Sequence, residues 1–341
     1  MSQVINKQSI EQLFDGEKQQ LITPYFAQII ADLYLHYSQA LSNTTHWPES
    51  KKRFETLIDL IAQQIQNPHP FAIFHKAIRA PFDYYQFGLD FIRPFIDFAH
   101  SKILGMKNLV SIEAQIANNE NVILFANHQI EPDPQTISLL LEKTHPTLAE
   151  NLIFIAGHRV ISDPMAIPMS MGRNLLCIYS KKHIAHPVDE KQIKMLHNQR
   201  TMKKMAELLQ EGGHCIYVAP SGGRDRPNAQ GDVEVAPFDP QSIELLYLTA
   251  AQSTKKTHFY PLALRTYDLM PPPGQTGKEL GEKRIMAITP VYLAFGEELD
   301  MDNSAAQQLA LDKRAKRNKR AQYIYDKVNS DYQRLLSIKS A

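Results

Sequence analysis

From about residue 81 onward, short apolar runs alternate with stretches of helical spacing, and that rhythm leaves few architectures open. The runs are Val122–Phe125, Leu152–Ala156, Leu175–Tyr179, Cys215–Ala219, His258–Leu264 and Ile285–Ile288. Each is the length of a strand and too short for a buried helix. Between them, Gln135–Glu142 and Gln199–Gln210 read as helices. The alternation predicts an α/β fold, a mixed β-sheet flanked by helices. Residues 1–80 differ. Tyr25, Phe26, Ile29, Ile30, Leu33 and Tyr34 fall at helical spacing, as do Phe54, Leu57, Ile58, Ile61 and Ile65, with a loop over residues 43–48 between the two sets. The expected organisation is a small helical domain over residues 1–80 followed by an α/β domain over 81–341, and a chain of 341 residues is long enough for two.

Composition narrows the function classes. With 37 basic and 36 acidic residues the chain has no bulk positive charge, so nucleic acid is not an expected partner. Any anion must be recognised by a local cluster. Cys177 and Cys215 are the two cysteines and form no CxxC pair, which argues for a reducing compartment and against a cysteine-rich zinc site. No metal or other cofactor is expected. The first residues show no basic stretch followed by an apolar run, so no signal peptide is expected, and no segment approaches a membrane-spanning length.

In α/β sheets, ligands collect beyond the carboxyl ends of strands. The first run is followed by Asn127-His128-Gln129-Ile130-Glu131-Pro132-Asp133-Pro134. His128 stands at the strand end. Asp133 reads as a helix N-cap with Pro134 at the first helical position. An alcohol is a weak nucleophile at neutral pH, and an imidazole within hydrogen-bond reach can take its proton. A carboxylate on the other ring nitrogen fixes the tautomer, so His-x4-Asp supplies base and orienter in one turn. The spacing alone discriminates poorly. Chance yields about one such pair in this composition, and three occur: His128/Asp133, His145/Glu150 and His158/Asp163. The third repeats the strand-end context of the first. The second lies outside it and is expected at the surface. Structural His–Asp pairs are common enough that His128 stands as a candidate base on this reading.

Two later strand ends concentrate positive charge: Ser180-Lys181-Lys182-His183 and Pro220-Ser221-Gly222-Gly223-Arg224-Asp225-Arg226-Pro227. Extended backbone places Arg224 and Arg226 on one face and turns Asp225 away. Guanidinium forks suit phosphate oxygens, and the glycines permit turns that cradle an anion. Each cluster alone reads as solvated surface charge; two at strand ends, like His128, favour a phosphate site. The segment Gly274-Gln275-Thr276-Gly277-Lys278-Glu279 is too short between its glycines for a nucleotide P-loop and has Glu in place of Ser or Thr. The basic stretch Lys313–Arg320 reads as a solvated helix face, with docking of an acidic carrier or anionic lipid as the sharper alternative. Met165, Met169 and Met171 read as core more readily than as a wall for an acyl chain.

Taken together and in this order, these segments resemble the soluble glycerol-3-phosphate acyltransferase family, the type best known from plant chloroplasts. The resemblance runs from about Phe71 to Ile288 and also rests on Pro81-Phe82-Asp83-Tyr84-Tyr85, Ser170-Met171-Gly172-Arg173-Asn174-Leu175, Tyr179 through His183, and Met270-Pro271-Pro272-Pro273. It implies a helical N-terminal domain joined to a larger α/β domain. It implies transfer of a fatty acyl group from acyl-[acyl-carrier-protein] or acyl-coenzyme A to the sn-1 hydroxyl of glycerol 3-phosphate. The family's catalytic His-x4-Asp falls on His128 and Asp133, and its phosphate-binding cluster on Lys182, His183, Arg224 and Arg226. At position 158 the chain has His where the family leads one to expect an acidic residue. The expected setting is a bacterial cytoplasm, or the plastid stroma for a mature plant-type form, with peripheral membrane association left open. Two alternatives stand: an acyltransferase acting on 1-acylglycerol 3-phosphate, and a non-catalytic module that binds an acyl carrier or anionic lipid.

Overall fold

The computed structural model describes residues 21–185, 187–273, 281–301 and 312–338, the side chains of Lys181 and Lys182 excepted. The first twenty residues of the expected helical domain and the P-loop-like segment 274–279 lie outside the described residues.

The strands are β1 (Phe74–His75), β2 (Lys102–Leu104), β3 (Asn121–Ala126), β4 (Ile153–Gly157), β5 (Asn174–Ile178), β6 (Cys215–Val218), β7 (Arg226–Pro227), β8 (Val233–Glu234), β9 (Thr257–Arg265) and β10 (Tyr292–Phe295). Eight of them form one sheet in the order β1-β5-β4-β6-β3-β9-β10-β2, and β7 pairs with β8 as a separate ribbon. The five strands β5, β4, β6, β3 and β9 are mutually parallel. β1 and β10 run antiparallel to their neighbours β5 and β9, which makes the sheet mixed. Every residue of β3 is buried, as a central parallel strand covered on both faces requires.

Side chains alternate across the sheet and divide the core. Ile123 and Phe125 point to one face, where they meet residues of helices over Lys191–Glu211, Pro240–Ala251 and Lys313–Leu336. Val122, Leu124 and Ala126 point to the other, against helices over Met106–Ala117, Asp133–Leu141 and Pro146–Asn151. The N-terminal helices, α1 (Pro24–Leu41) and α2 (Trp47–Gln66), start at prolines suited to a first turn. Their apolar stripes meet through Tyr34, Tyr37 and Phe54. Tyr37 also packs on Phe91 and Phe95, so the two helices share a core with α3 (Tyr84–Ile92).

Some expectations are corrected. Ile285–Ile288 is not a strand; the last strand of the sheet is Tyr292–Phe295. Ile285 and Ile288 are exposed; the Ala287 amide donates to the Leu269 carbonyl, and that of Thr289, just beyond the stretch, to the Phe95 carbonyl. His145 is buried rather than superficial, and its Nδ1 pairs with Glu113 at 2.7 Å, not with Glu150. The helix expected over Gln199–Gln210 starts earlier, at Lys191. Met165 and Met171 are core residues, as the plainer reading had it.

Candidate active site

The five parallel strands bring their carboxyl ends to one edge of the sheet. At that edge stand Asn127–Asp133 after β3, His158 after β4, Ser180–His183 after β5, Pro220–Arg226 after β6 and Thr266 after β9.

The turn after β3 is fixed by side chains on either side of His128. Asn127, fully buried, donates from Nδ2 to the Leu264 carbonyl at 2.9 Å and accepts from the Leu264 amide at 2.7 Å. It thereby continues the β3–β9 ladder one residue beyond the strand. Tyr217 donates its hydroxyl to the Asn127 carbonyl at 2.8 Å. Gln129, also fully buried, accepts through Oε1 from the amides of Thr266 at 2.6 Å and Tyr267 at 3.0 Å. Between these two anchors the His128 side chain is 31% exposed, enough to meet a ligand from solvent.

Asp133 Oδ2 accepts from His128 Nδ1 at 2.8 Å. The same oxygen accepts from the amides of Gln129 at 2.8 Å and Ile130 at 3.2 Å, and Oδ1 accepts from the Thr266 hydroxyl at 2.6 Å. Four donors thus converge on a buried carboxylate. The sequence placed Asp133 as N-cap; instead Pro132 occupies that position and Asp133 is the first residue of α5 (Asp133–Leu141), once α4 (Met106–Ala117) is counted. Its carboxylate turns back into the preceding loop because two loop amides and an imidazole lie there. A carboxylate on Nδ1 accepts that nitrogen's proton, which leaves the lone pair on Nε2. An imidazole so held is set to take a proton from an approaching hydroxyl.

The echo motif has another fate. Asp163 is buried, but its carboxylate accepts from the amides of Met165 at 3.0 Å and Gly281 at 3.0 Å and lies 3.4 Å from Arg284 Nη2. His158 instead stacks on Tyr179, ring centroids 4.3 Å apart. Burial lowers its pKa first, and the charges of His183, His197 and Lys194 push it further the same way.

Asp225 is buried, as the alternating pattern expects, and Arg224 and Arg226 flank it. Arg224 donates to Glu282 Oε2 at 2.6 Å, with both side chains largely buried. Among the described residues no acceptor lies within hydrogen-bond reach of the buried Nη1 of Arg226. Burial, then the adjacent Arg224 charge, lowers the Arg226 pKa. A half-buried guanidinium whose buried Nη1 is an open donor, beside a second guanidinium, is a local excess of positive charge that an anion would relieve. His183 lies in the short turn after β5, exposed, its Nδ1 2.8 Å from the Ser180 hydroxyl. The backbone of Lys182 belongs to the same turn; its side chain lies outside the described residues.

Sequence reasoning missed Thr266, Glu282 and Arg284. Thr266 follows β9 directly, so the search beyond strand ends that found His128 leads to it once the strand's end is placed correctly. Arg284 grips Glu131 of the His128 turn through Nε at 3.1 Å and Nη2 at 3.0 Å, and donates from Nη1 to the Glu282 carbonyl at 2.8 Å. No local pattern announces Glu282 or Arg284, because the stretch that carries them is not a strand.

A carboxylate-held imidazole beside a cationic loop, at the carboxyl edge of a parallel sheet, is an arrangement suited to group transfer onto a hydroxyl. In keeping with that class, residues 107–265 match the family model described as Acyltransferase, a span that holds β3, the His128 turn and the arginine loop. The chain is 39% identical to a chloroplastic glycerol-3-phosphate acyltransferase of Cucurbita moschata over 84% of its own length, and 39% identical to one of Spinacia oleracea over 90%. It spans slightly under two thirds of these two relatives, 63% and 65% of their lengths. With a chloroplastic glycerol-3-phosphate acyltransferase of Pisum sativum it is 38% identical, over 98% of this chain and 74% of the relative. The chain belongs to the glycerol-3-phosphate acyltransferase family.

Proposed function

We propose that this protein is a glycerol-3-phosphate 1-O-acyltransferase that moves a fatty acyl group from a thioester donor, acyl-[acyl-carrier-protein] or acyl-coenzyme A, to the sn-1 hydroxyl of glycerol 3-phosphate. The observation that carries the reading is the His128–Asp133 bond, made from a buried and multiply anchored carboxylate at the sheet edge that also bears Arg224 and Arg226. Arg224 and Arg226, with Lys182 and His183, bind the acceptor's phosphate. Glu282 already occupies Arg224, so the phosphate either joins that ion pair or displaces its carboxylate. Positioning then brings the sn-1 hydroxyl to His128 Nε2. The imidazole removes the proton as the oxygen attacks the thioester carbonyl, Asp133 balances the imidazolium, and the proton passes to the departing thiolate. No acyl-enzyme intermediate is required. The names of the relatives support the acceptor and the plastid stroma as a setting; a bacterial cytoplasm suits the same chemistry. Among the described residues no helix is long and apolar enough to cross a membrane. The product's acyl chain gives a reason for peripheral contact with a bilayer.

The test is acyl transfer to labelled glycerol 3-phosphate from palmitoyl-carrier-protein and palmitoyl-coenzyme A. Wild type and His158→Ala should form lysophosphatidate, and folded His128→Ala should fall by about 10²–10⁴-fold or more, the usual worth of a general base. Arg226→Ala should raise the half-saturation for glycerol 3-phosphate about 10–100-fold, the worth of a charge-assisted hydrogen bond. Normal turnover by His128→Ala would overturn the mechanism. No product from wild type with either donor would overturn the function.

A further inference from the structure

We propose that Asp225 is a positioning residue that couples the acceptor-phosphate loop to the catalytic base, so that His128 is correctly placed only while the loop between Arg224 and Arg226 is in register with it. The inference rests on the function proposed above and adds a residue to which that function gives no role.

Asp225 sits between two arginines yet pairs with neither. Its Oδ2 accepts from Asn127 Nδ2 at 2.8 Å and from Gln129 Nε2 at 3.2 Å, the side chains immediately before and after His128. Its backbone amide donates to the carbonyl of His128 itself at 2.7 Å. Its Oδ1 accepts from the Ala236 amide at 2.9 Å, which closes the loop that leaves and returns through β7 and β8. One fully buried residue thus bonds to three consecutive residues of the catalytic turn. It does so from the middle of the segment that carries Arg224 and Arg226.

The covalent geometry makes the coupling stiff. Arg224 and Arg226 are bonded neighbours of Asp225, so a shift of their backbone on binding a phosphate is carried to a residue that cannot move without dragging His128. Carboxylate chemistry is required, because three N–H donors converge on two oxygens. An amide at this position offers one acceptor oxygen and turns an NH2 toward at least one of those donors. Burial raises the Asp225 carboxyl to about 6, and the site retains the group although an apolar residue would avoid the desolvation.

The experiment measures kcat and KM for glycerol 3-phosphate and palmitoyl-coenzyme A in the full chain, for wild type and Asp225→Asn. Misplacement of a catalytic group by about 1 Å costs on the order of 10²-fold in rate. The folded variant should lose that much kcat at saturating glycerol 3-phosphate, with the KM for palmitoyl-coenzyme A unchanged. A retained kcat, whether or not the KM for glycerol 3-phosphate rises, overturns the coupling. Should Asp225→Asn fail to fold, Asp225→Glu, which keeps the carboxylate but displaces it by one methylene from Asn127 and Gln129 and leaves the Gln129 bonds to Thr266 and Tyr267 in place, is read the same way. A second readout needs no turnover: the ring ¹⁵N signal of His128, assigned by its loss in His128→Ala, is followed as inorganic phosphate is added. It should move in wild type and stay still in Asp225→Asn or Asp225→Glu. No movement in wild type, or equal movement in the variant, overturns the inference. A wild type that fails to transfer yet shows the coupled shift overturns the proposed function and leaves the coupling standing.

Discussion

His128 and His158 carry the same spacing to an aspartate and the same strand-end setting, yet they differ in what their aspartates can reach. Asp133 turns into a loop whose amides and imidazole all donate to it, and Thr266 adds a hydroxyl from the neighbouring strand end. Asp163 is taken by the Gly281 and Met165 amides and faces Arg284. The carboxylate thus goes where donors are densest, and spacing along the chain does not report donor density. Asp225 shows the cost of such placement. Desolvation raises its carboxyl from the usual 3.8 to about 6. An acid raised by folding holds its proton more tightly in the native state than in the unfolded chain, so its contribution is full below the unfolded value and is lost as pH rises through about 6. Asn cannot titrate. The unfolding midpoint of wild type minus that of Asp225→Asn should therefore fall between about pH 4 and 6 and stay level above about pH 7. Thermal unfolding of both proteins across that range checks it; a difference that grows with pH would contradict the sign.

Elements are placed here by a few close approaches. Gly172 ends the short helix Ile167–Met171 just before β5 and lies against the start of α3. A Cβ at that position would sit 2.4 Å from the Tyr84 carbonyl oxygen and 2.6 Å from the Tyr85 amide nitrogen. These are backbone atoms and cannot rotate away. Gly172→Ala should destabilise the protein by about 1–3 kcal/mol, the usual cost of overpacking, read from the denaturant midpoint. An unchanged midpoint would mean that α3 and β5 can separate freely. The misplaced strand has a comparable explanation. Ile285, Met286 and Ile288 carry the apolar character of a strand, but Ala287 donates its amide to Leu269 and Thr289 to Phe95. The sheet accepts Tyr292–Phe295 beside β9 instead, with Tyr292 opposite Arg265. Only Ile285–Ile288 reads as a strand in the sequence; Tyr292–Phe295 is as apolar, and an antiparallel partner in β9 is what gives it the place in the sheet.

Across the whole molecule, Arg284 joins what the strands keep apart. Its buried guanidinium reaches Glu131 after β3 and Asp163 after β4, and its donation to the Glu282 carbonyl fixes the residue that holds Arg224 after β6. Removing one partner of such a network leaves buried charge uncompensated. Arg284→Leu should cost about 3–5 kcal/mol in denaturant unfolding. A loss under about 1 kcal/mol, typical of an exposed pair, would mean that water reaches these carboxylates.

Much of this protein was decided by local pattern. The apolar runs of β3, β4, β5, β6 and β9 are legible in the sequence to within a residue or so, because burial on both faces of a parallel sheet demands continuous hydrophobic stretches. The rule that ligands gather beyond strand ends then pointed to both His–Asp pairs and to the two cationic clusters, and the family resemblance chose His128, Asp133, Lys182, His183, Arg224 and Arg226 among them. Tertiary structure alone decided which His–Asp pair is hydrogen-bonded, what holds Arg224, and that Asp225 faces the His128 turn. The bonds that settle these points join residues far apart in the chain: Asn127 to Asp225 across 98 positions, Thr266 to Asp133 across 133 and Arg284 to Glu131 across 153. Periodicity records which side of an element is buried. It carries no record of which distant donor will stand opposite a given carboxylate, because strand order and the course of the loops set that.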